Sequence, residues 1–129
     1  MSLNYKELSD KAYNLHSQGR LQEAEKLYKQ LLDIKPDDVN ILNLIGLLYI
    51  SMKMTNSAIS YLSRAFVLKQ NSYICSNLAK AYFFNNEIEK SLKFYNQALS
   101  CEETDDIYYS MAISYKNLND MDNAVKCYE

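Results

Sequence analysis

Apolar residues recur along the chain at helical spacing, most densely between Asn40 and Met52. Eight of the ten residues from Ile41 to Ile50 are apolar, whereas a surface helix normally carries a single apolar stripe. The run is shorter than the roughly 20 residues that a membrane-spanning helix needs. The pattern therefore predicts a helix that is covered on more than one side, and the rest of the chain has to supply its neighbours.

Small and bulky residues both recur at one fixed interval. Helix propensity alone does not explain this period, because propensity has no fixed register. The period predicts four copies of one structural unit within a single array, at about 5–38, 39–71, 72–104 and 105–129. Four series share intervals of 34, 33 and 33 residues: Ala12, Gly46, Ala79, Ala112; Ala24, Ala58, Ser91, Ala124; Leu15, Tyr49, Tyr82, Tyr115; and Tyr28, Leu62, Tyr95, Tyr128.

Each unit has the pattern of two helices separated by a short break. Gly19–Arg20 and Asn85–Asn86 are such breaks, and Pro36 ends the first unit because proline cannot continue a helix. Asp37–Asp38 is predicted to cap the helix that follows it, and Thr55–Asn56 the next one. Breaks this short predict antiparallel helix hairpins.

Composition agrees with an all-helical chain and indicates no chemistry. Two glycines and one proline are too few for a sheet protein with many tight turns. The only histidine is His16, and there is no phosphate-binding loop or metalloprotease motif, so we expect no enzyme, cofactor or metal site. The three cysteines, Cys75, Cys101 and Cys127, are interpreted as small buried residues in a reducing compartment. With no signal-like apolar run at the start, the prediction is a cytoplasmic protein.

Charge narrows the range of partners. The formal net charge is −2 and no basic tract is present, so a nucleic-acid partner is not indicated. Residues 39–71 nevertheless contain Lys53, Arg64 and Lys69 and no acidic residue. This uneven distribution leaves two interpretations, an ordinary solvated surface or a region that guides an acidic ligand.

The repeated small and bulky residues resemble those of the tetratricopeptide repeat over nearly the whole chain, from about Tyr5 onward. The sequence departs from the family pattern at Gln70 and Glu103, where the family has proline, and at Lys11, where it has leucine. The matching residues are Leu8, Ala12, Leu15, Gly19, Ala24, Tyr28 and Pro36; Leu42, Ile45, Gly46, Tyr49, Ala58, Leu62 and Ala65; Leu78, Ala79, Tyr82, Ser91, Tyr95 and Ala98; and Tyr108, Met111, Ala112, Tyr115, Ala124 and Tyr128.

The resemblance implies an all-α, right-handed superhelical solenoid of antiparallel hairpins, whose first helices line a concave face that binds a peptide or partner segment. Positions that grip a terminal carboxylate in some members are not matched here, apart from Asn77. The groove is expected to be mostly apolar, with Asn43 and Asn77 free to bind a peptide backbone. Leu47 and Phe83 either line the groove or pack in the core against the next unit. The predicted groove residues are Tyr13, Asn43, Leu44, Leu47, Tyr73, Asn77, Lys80, Phe83, Tyr109 and Ile113.

The sequence stops about halfway through the second helix of the fourth unit, without the polar capping helix that usually ends a solenoid. We therefore expect either a longer natural chain or a partner at this end. Self-association through an uncovered surface of Met111, Tyr115 and Tyr128 is one possibility. The main functional expectation is a protein–protein interaction scaffold, with no membrane partner. The alternative is a structural spacer or self-association module of a longer chain that binds through its ends.

Overall fold

Helices account for the regular structure of the chain in the computed structural model, which describes residues 4–128. They form four consecutive hairpins, and we call the members of each hairpin its first and second helix. The helices are α1 (Tyr5–Ser17), α2 (Leu21–Ile34), α3 (Val39–Ser51), α4 (Thr55–Leu68), α5 (Ser72–Phe84), α6 (Ile88–Cys101), α7 (Asp105–Asn117) and α8 (Met121–Tyr128).

The first helix of every hairpin begins at a side-chain cap. Asn4, Asp38, Asn71 and Thr104 each accept a hydrogen bond from a backbone N–H in the first turn, which satisfies a donor that has no partner within the helix. The predicted cap at Asp38 is confirmed. The predicted cap at Thr55–Asn56 is wrong: α4 starts without a side-chain cap, and the Thr55 hydroxyl hydrogen-bonds Asn85 Oδ1 at 2.7 Å instead.

The turn inside each hairpin contains one residue in the left-handed region. These residues are Gly19, Lys53, Asn86 and Asn119, with φ of 80°, 61°, 62° and 58°. In the first hairpin the next amide, that of Arg20, returns to the carbonyl of Leu15 at 2.9 Å, and the other hairpins repeat this bond. This Schellman closure ends each first helix and turns the chain back on itself.

Small residues let the two helices of a hairpin approach closely. Ala12, Ala24, Ala58 and Ala79 are fully buried. At Gly46 the approach leaves no room for a side chain, since a Cβ there would lie 2.5 Å from Cγ of Leu62 on α4. The predicted role of the small-residue series, to mark the helix crossings, therefore follows directly from packing.

The hairpins stack in a row. Each second helix packs against the first helix of the next hairpin (α2 on α3, α4 on α5 and α6 on α7), and α3 also contacts both α1 and α5. α1, α3 and α5 therefore lie closer together than the second helices do, which places the first helices on the inner side of the curve. The predicted all-α, right-handed superhelical solenoid is confirmed.

Two expectations about burial are wrong. Met111 is only 4% exposed, because it packs in one apolar cluster with Leu92 and Tyr95 of α6. Cys101 is exposed, since it is the last residue of α6, whereas Cys75 is buried as expected. Within residues 4–128, no helix is both long and apolar enough to cross a bilayer.

Candidate binding groove

Two amides predicted to face a ligand meet each other instead. Asn43 on α3 and Asn77 on α5 are 4% and 5% exposed, and Asn77 Nδ2 donates to Asn43 Oδ1 at 2.9 Å. A buried amide requires such a partner, because a polar group removed from water and left unpaired costs about 1–3 kcal/mol. The pair thus joins neighbouring first helices and closes the inner face between α3 and α5.

The next junction, between α5 and α7, is open. Positions equivalent to Asn43 and Asn77, 33 residues later, carry Ser76 and Ser110. Both serines line a cavity of about 310 Å³ between the two helices. Its remaining lining residues are Ser72, Tyr73, Asn77, Lys80, Tyr95, Glu102, Thr104, Asp106 and Ile107.

Every residue that lines the cavity except Ile107 carries a polar side-chain group, whereas the sequence suggests a mostly apolar groove. Tyr73 and Lys80 are exposed on its α5 side, and the carboxylate of Asp106 lies on its α7 side. Tyr95 reaches it from α6. Burial raises the pKa of this phenol, and a hydrogen bond with Ser110 offsets part of that rise. Hydroxyl, amide, ammonium and carboxylate groups therefore surround one space, an arrangement that suits hydrogen bonding to a ligand.

Three of the ten predicted groove residues, Tyr73, Asn77 and Lys80, line this cavity. The others lie elsewhere along the first helices. Leu44 packs partly buried against the core. Leu47, Phe83 and Ile113 are half-buried, and Tyr13 is exposed on α1.

Tyr109 lies beside a different space. Its ring contacts that of Tyr128 edge-on, with centroids 6.2 Å apart. Both tyrosines line a second cavity of about 500 Å³ between α7 and α8, together with Asp105, Tyr108, Lys126 and Cys127. Tyr109 therefore does not join Tyr73 and Lys80 in one site.

Ser76, Thr104 and Tyr95 line the cavity but were not predicted from the sequence. Ser76 follows Asn43 by one repeat, so the repeat register is a signal that could have found it. Tyr95 belongs to a second helix and reaches the cavity only because α6 and α7 pack together. The basic residues Lys53, Arg64 and Lys69 do not line it. Among the described residues, no cluster of three or more histidine, cysteine or acidic side chains could hold a metal ion.

Stacked helix hairpins with a space between their first helices define a class of α-helical repeat scaffolds. The description "Tetratricopeptide repeat" belongs to a family model that matches residues 39–71, 72–105 and 105–129, and a second model, "TPR repeat", matches 12–53. The chain belongs to the tetratricopeptide repeat family. Membership supports a role in protein interaction in general, and the family is generally non-enzymatic.

Solved structures share the fold at low sequence identity. One titled "Crystal structure of MamA" is 24% identical, with a TM-score of 0.83, and the match covers 91% of this chain and 70% of that one. MamA from Desulfovibrio magneticus RS-1 is 16% identical, with a TM-score of 0.90 and coverage of 97% and 72%.

A tetratricopeptide repeat protein from Parabacteroides merdae is 24% identical, with a TM-score of 0.83, and the match covers 96% of this chain and 50% of that protein. A comparison with curated proteins finds no match. At these identities the similarity establishes the fold.

Proposed function

We propose that the chain is a protein–protein interaction scaffold that binds an extended segment of a partner protein in the cavity between α5 and α7. The observation that carries this proposal is the replacement of the Asn43–Asn77 pair by Ser76 and Ser110 at the next junction, where a cavity of about 310 Å³ lies between the helices. The family's general role in protein interaction supports it.

The lining suits a peptide backbone. An extended segment presents unpaired N–H and C=O groups, and it needs both acceptors and donors from its receptor. The hydroxyl of Ser76 can donate or accept, whereas that of Ser110, which already hydrogen-bonds Tyr95, can still accept. Asn77 has already used one amide N–H on Asn43, so its carbonyl oxygen and second N–H remain for a ligand.

Opposite charges on the two walls of the cavity favour one orientation of the bound segment. Lys80 on α5 attracts an acidic side chain, whereas Asp106 on α7 and Glu102 at the end of α6 attract a basic one. Along the same inner face, the half-buried Leu47, Phe83 and Ile113 offer apolar contacts to residues that extend beyond the cavity. The expected ligand is therefore a mixed polar and apolar segment.

Peptides selected from a random library for binding to the wild-type protein test this proposal. Their affinities are measured by fluorescence anisotropy for the wild type, for Lys80→Glu and for Tyr73→Ala. Both positions are exposed, so we expect the fold to survive, as circular dichroism will verify. Lys93→Glu, on the exposed side of α6, makes the same charge change outside the cavity.

We expect at least one peptide class to lose about tenfold in affinity, roughly 1.4 kcal/mol, with Lys80→Glu or Tyr73→Ala and to keep its affinity with Lys93→Glu. If every selected peptide is insensitive to the two cavity substitutions, the cavity is not the binding site.

The exclusion of nucleic acid and membrane as partners is part of the proposal. So is a cytoplasmic location, which the free thiols of Cys75, Cys101 and Cys127 support.

A second candidate function is binding through the end of the array, by self-association or as a spacer. The exposed apolar residues of α8 favour it, since Met121, Val125 and Tyr128 are each about half exposed. Sedimentation velocity over a range of concentrations tests self-association, and a strict monomer at high concentration counts against it.

A further inference from the structure

The two walls of the cavity between α5 and α7 place an aromatic ring and a carboxylate at the same level. Tyr73 on α5 and Asp106 on α7 are 33 residues apart, so they occupy equivalent positions of successive repeats. Both side chains are exposed, and both line the cavity. Glu102, which follows the last residue of α6, adds a second carboxylate to the lining. One end of the cavity therefore combines a ring with two acidic groups.

These two carboxylates are not neutralised by a neighbouring cation. Neither Asp106 nor Glu102 forms a salt bridge within residues 4–128. Among the described residues that line the cavity, the only basic one is Lys80, seven residues beyond Tyr73 on α5 and thus about 10 Å further along the helix. This separation exceeds the screening length of about 8 Å at physiological salt, so Lys80 acts only weakly on the acidic end.

A buried acceptor also borders the space. Asn77 is 5% exposed and lines the cavity, and its Nδ2 donates to Asn43. Within the described residues its Oδ1 accepts no hydrogen bond, although buried polar groups normally have a partner. The hydroxyls of Ser76 and Ser110 can accept as well. The cavity thus offers acceptors to a positively charged ligand that supplies several donors.

We infer that the cavity receives an arginine side chain of the partner segment. The inference rests on the proposed function and names the residue that the segment inserts. A guanidinium group is planar, carries five N–H donors, forms paired hydrogen bonds with a carboxylate and stacks on aromatic rings. Asp106 and Glu102 supply the carboxylates, and Tyr73 supplies the ring. Lysine has the same charge, but its ammonium group is more strongly hydrated and lacks the planar fork.

The size of the cavity agrees with a single side chain. Its volume of about 310 Å³ lies at the low end of ligand pockets, which span about 300–1,000 Å³. The cavity therefore suits one long side chain better than several residues, and the rest of the segment extends along the inner face.

The probe is N-α-acetyl-arginine amide, and its control is the citrulline derivative, which has the same shape but no charge. Each is titrated into the isotope-labelled whole protein, and amide chemical shifts are followed by NMR. We expect saturable shifts at residues 72–80 and 102–110, with about tenfold weaker binding of the citrulline derivative. The lysine derivative should bind more weakly than the arginine derivative. Equal binding of the citrulline derivative, or no saturable shift in these ranges, would overturn the inference.

A matched pair of variants tests the two carboxylates. Asp106→Asn with Glu102→Gln neutralises the cavity, whereas Asp105→Asn with Glu103→Gln makes the same change of charge at exposed neighbours that do not line it. Circular dichroism verifies the fold of both. We expect the first pair to lose about tenfold in affinity for the arginine derivative and the second less than about threefold. Equal losses would indicate the overall charge of the protein and contradict a specific site.

Peptides selected from the random library separate this inference from the proposed function. Those that lose affinity with Tyr73→Ala should contain an arginine whose replacement by citrulline costs about tenfold in affinity. Cavity-dependent peptides without such an arginine would contradict the arginine site and leave the proposed function standing. Saturable binding of the arginine derivative, with every peptide insensitive to the cavity substitutions, would contradict the proposed function alone.

The opposite charge preference is the remaining alternative, because Lys80 lines the same space. Lys80→Glu should not weaken binding of the arginine derivative, since it removes a positive charge from the cavity. If N-α-acetyl-aspartate amide binds more tightly than the arginine derivative and loses affinity with Lys80→Glu, the cavity receives an acidic residue and the inference is wrong.

Discussion

Between α3 and α5, Asn43 and Asn77 meet in a buried hydrogen bond of 2.9 Å, whereas between α5 and α7 the residues at the same positions are Ser76 and Ser110. The backbones at the two junctions are built from the same repeat. Each serine carries a hydroxyl group where the asparagine carries a carboxamide, and the second junction contains a cavity of about 310 Å³. The amide pair thus occurs at a junction where α3 and α5 contact each other, and the two serines occur at the junction that contains the cavity.

The two halves of the chain also differ in the size of their apolar clusters. The larger apolar cluster spans α1 to α5 and includes the fully buried Tyr28, Leu42 and Leu62. The smaller cluster is formed by buried residues of α5, α6 and α7, and the partly buried Cys127 of α8 packs against it. Under the proposed function, the first two hairpins form a supporting half and the last two, which border the cavity, form a binding half.

The largest expected effect comes from closing the open junction. Ser76→Asn with Ser110→Asn places an amide pair where α3 and α5 have one, so the cavity should fill. We expect peptides that bind there to lose at least about tenfold in affinity, roughly 1.4 kcal/mol, in anisotropy measurements. Ser60→Asn, on the exposed side of α4, is the control. Unchanged affinity in the folded double variant would show that the serines do not keep the site open.

A second experiment breaks the closed junction. Asn43→Leu leaves the buried amide of Asn77 without its partner, and we expect a loss of about 2 kcal/mol in the free energy of unfolding. Adding Asn77→Leu should restore most of this loss, because two apolar groups replace the pair. Urea denaturation measures both variants. Asn96→Leu, at an exposed site on α6, should change stability by less than about 0.5 kcal/mol. Additive losses in the double variant would contradict a coupled pair.

A smaller gain is expected in the turn of the supporting half. Lys53 occupies a left-handed conformation that costs an L-residue with a long side chain roughly 1–2 kcal/mol. Lys53→Gly removes this cost but increases the entropy of the unfolded chain by about 0.4–1 kcal/mol. We expect a net stabilisation of about 0.5 kcal/mol in urea denaturation. Asn86→Gly in the binding half should gain less, since asparagine tolerates this region; an equal or larger gain there would contradict the explanation.

The smallest expected effect is a pH dependence in the first hairpin. Burial lowers the pKa of His16 below its ordinary value of 6.5, and its buried Nδ1 has no hydrogen-bond partner among the described residues. Between the folded and unfolded pKa values the unfolded chain binds more protons, so stability falls as pH drops from 7 through this window. Comparing urea midpoints at about pH 7 and pH 5.5, we expect His16→Gln to lose less stability than the wild type. An identical loss would remove His16 as the cause.

Much of the fold could be predicted from local sequence. The 33–34-residue period, the Asp38 cap and the Gly19 turn depend on residues close to one another in the chain. The prediction at Thr55 failed because its hydroxyl found a partner in Asn85, 30 residues away. Met111 was misjudged for the same reason, since α6 covers it.

The groove was predicted less well than the fold. Register placed Tyr73, Asn77 and Lys80 at what proved to be one cavity, but it could not show that Asn43 and Asn77 bond each other. It also could not show that Tyr109 turns toward Tyr128. Such contacts depend on the distance and rotation between hairpins, to which the repeat period is insensitive.

The sequence by itself determined the repeat, the helix pairs and the small residues at their crossings. All of these follow from apolar periodicity and from helix-ending residues within one unit. Only the tertiary structure decided which junction is closed and which is open. Those outcomes depend on how side chains from different units meet, and residues that are one repeat apart in sequence come together only when the hairpins stack.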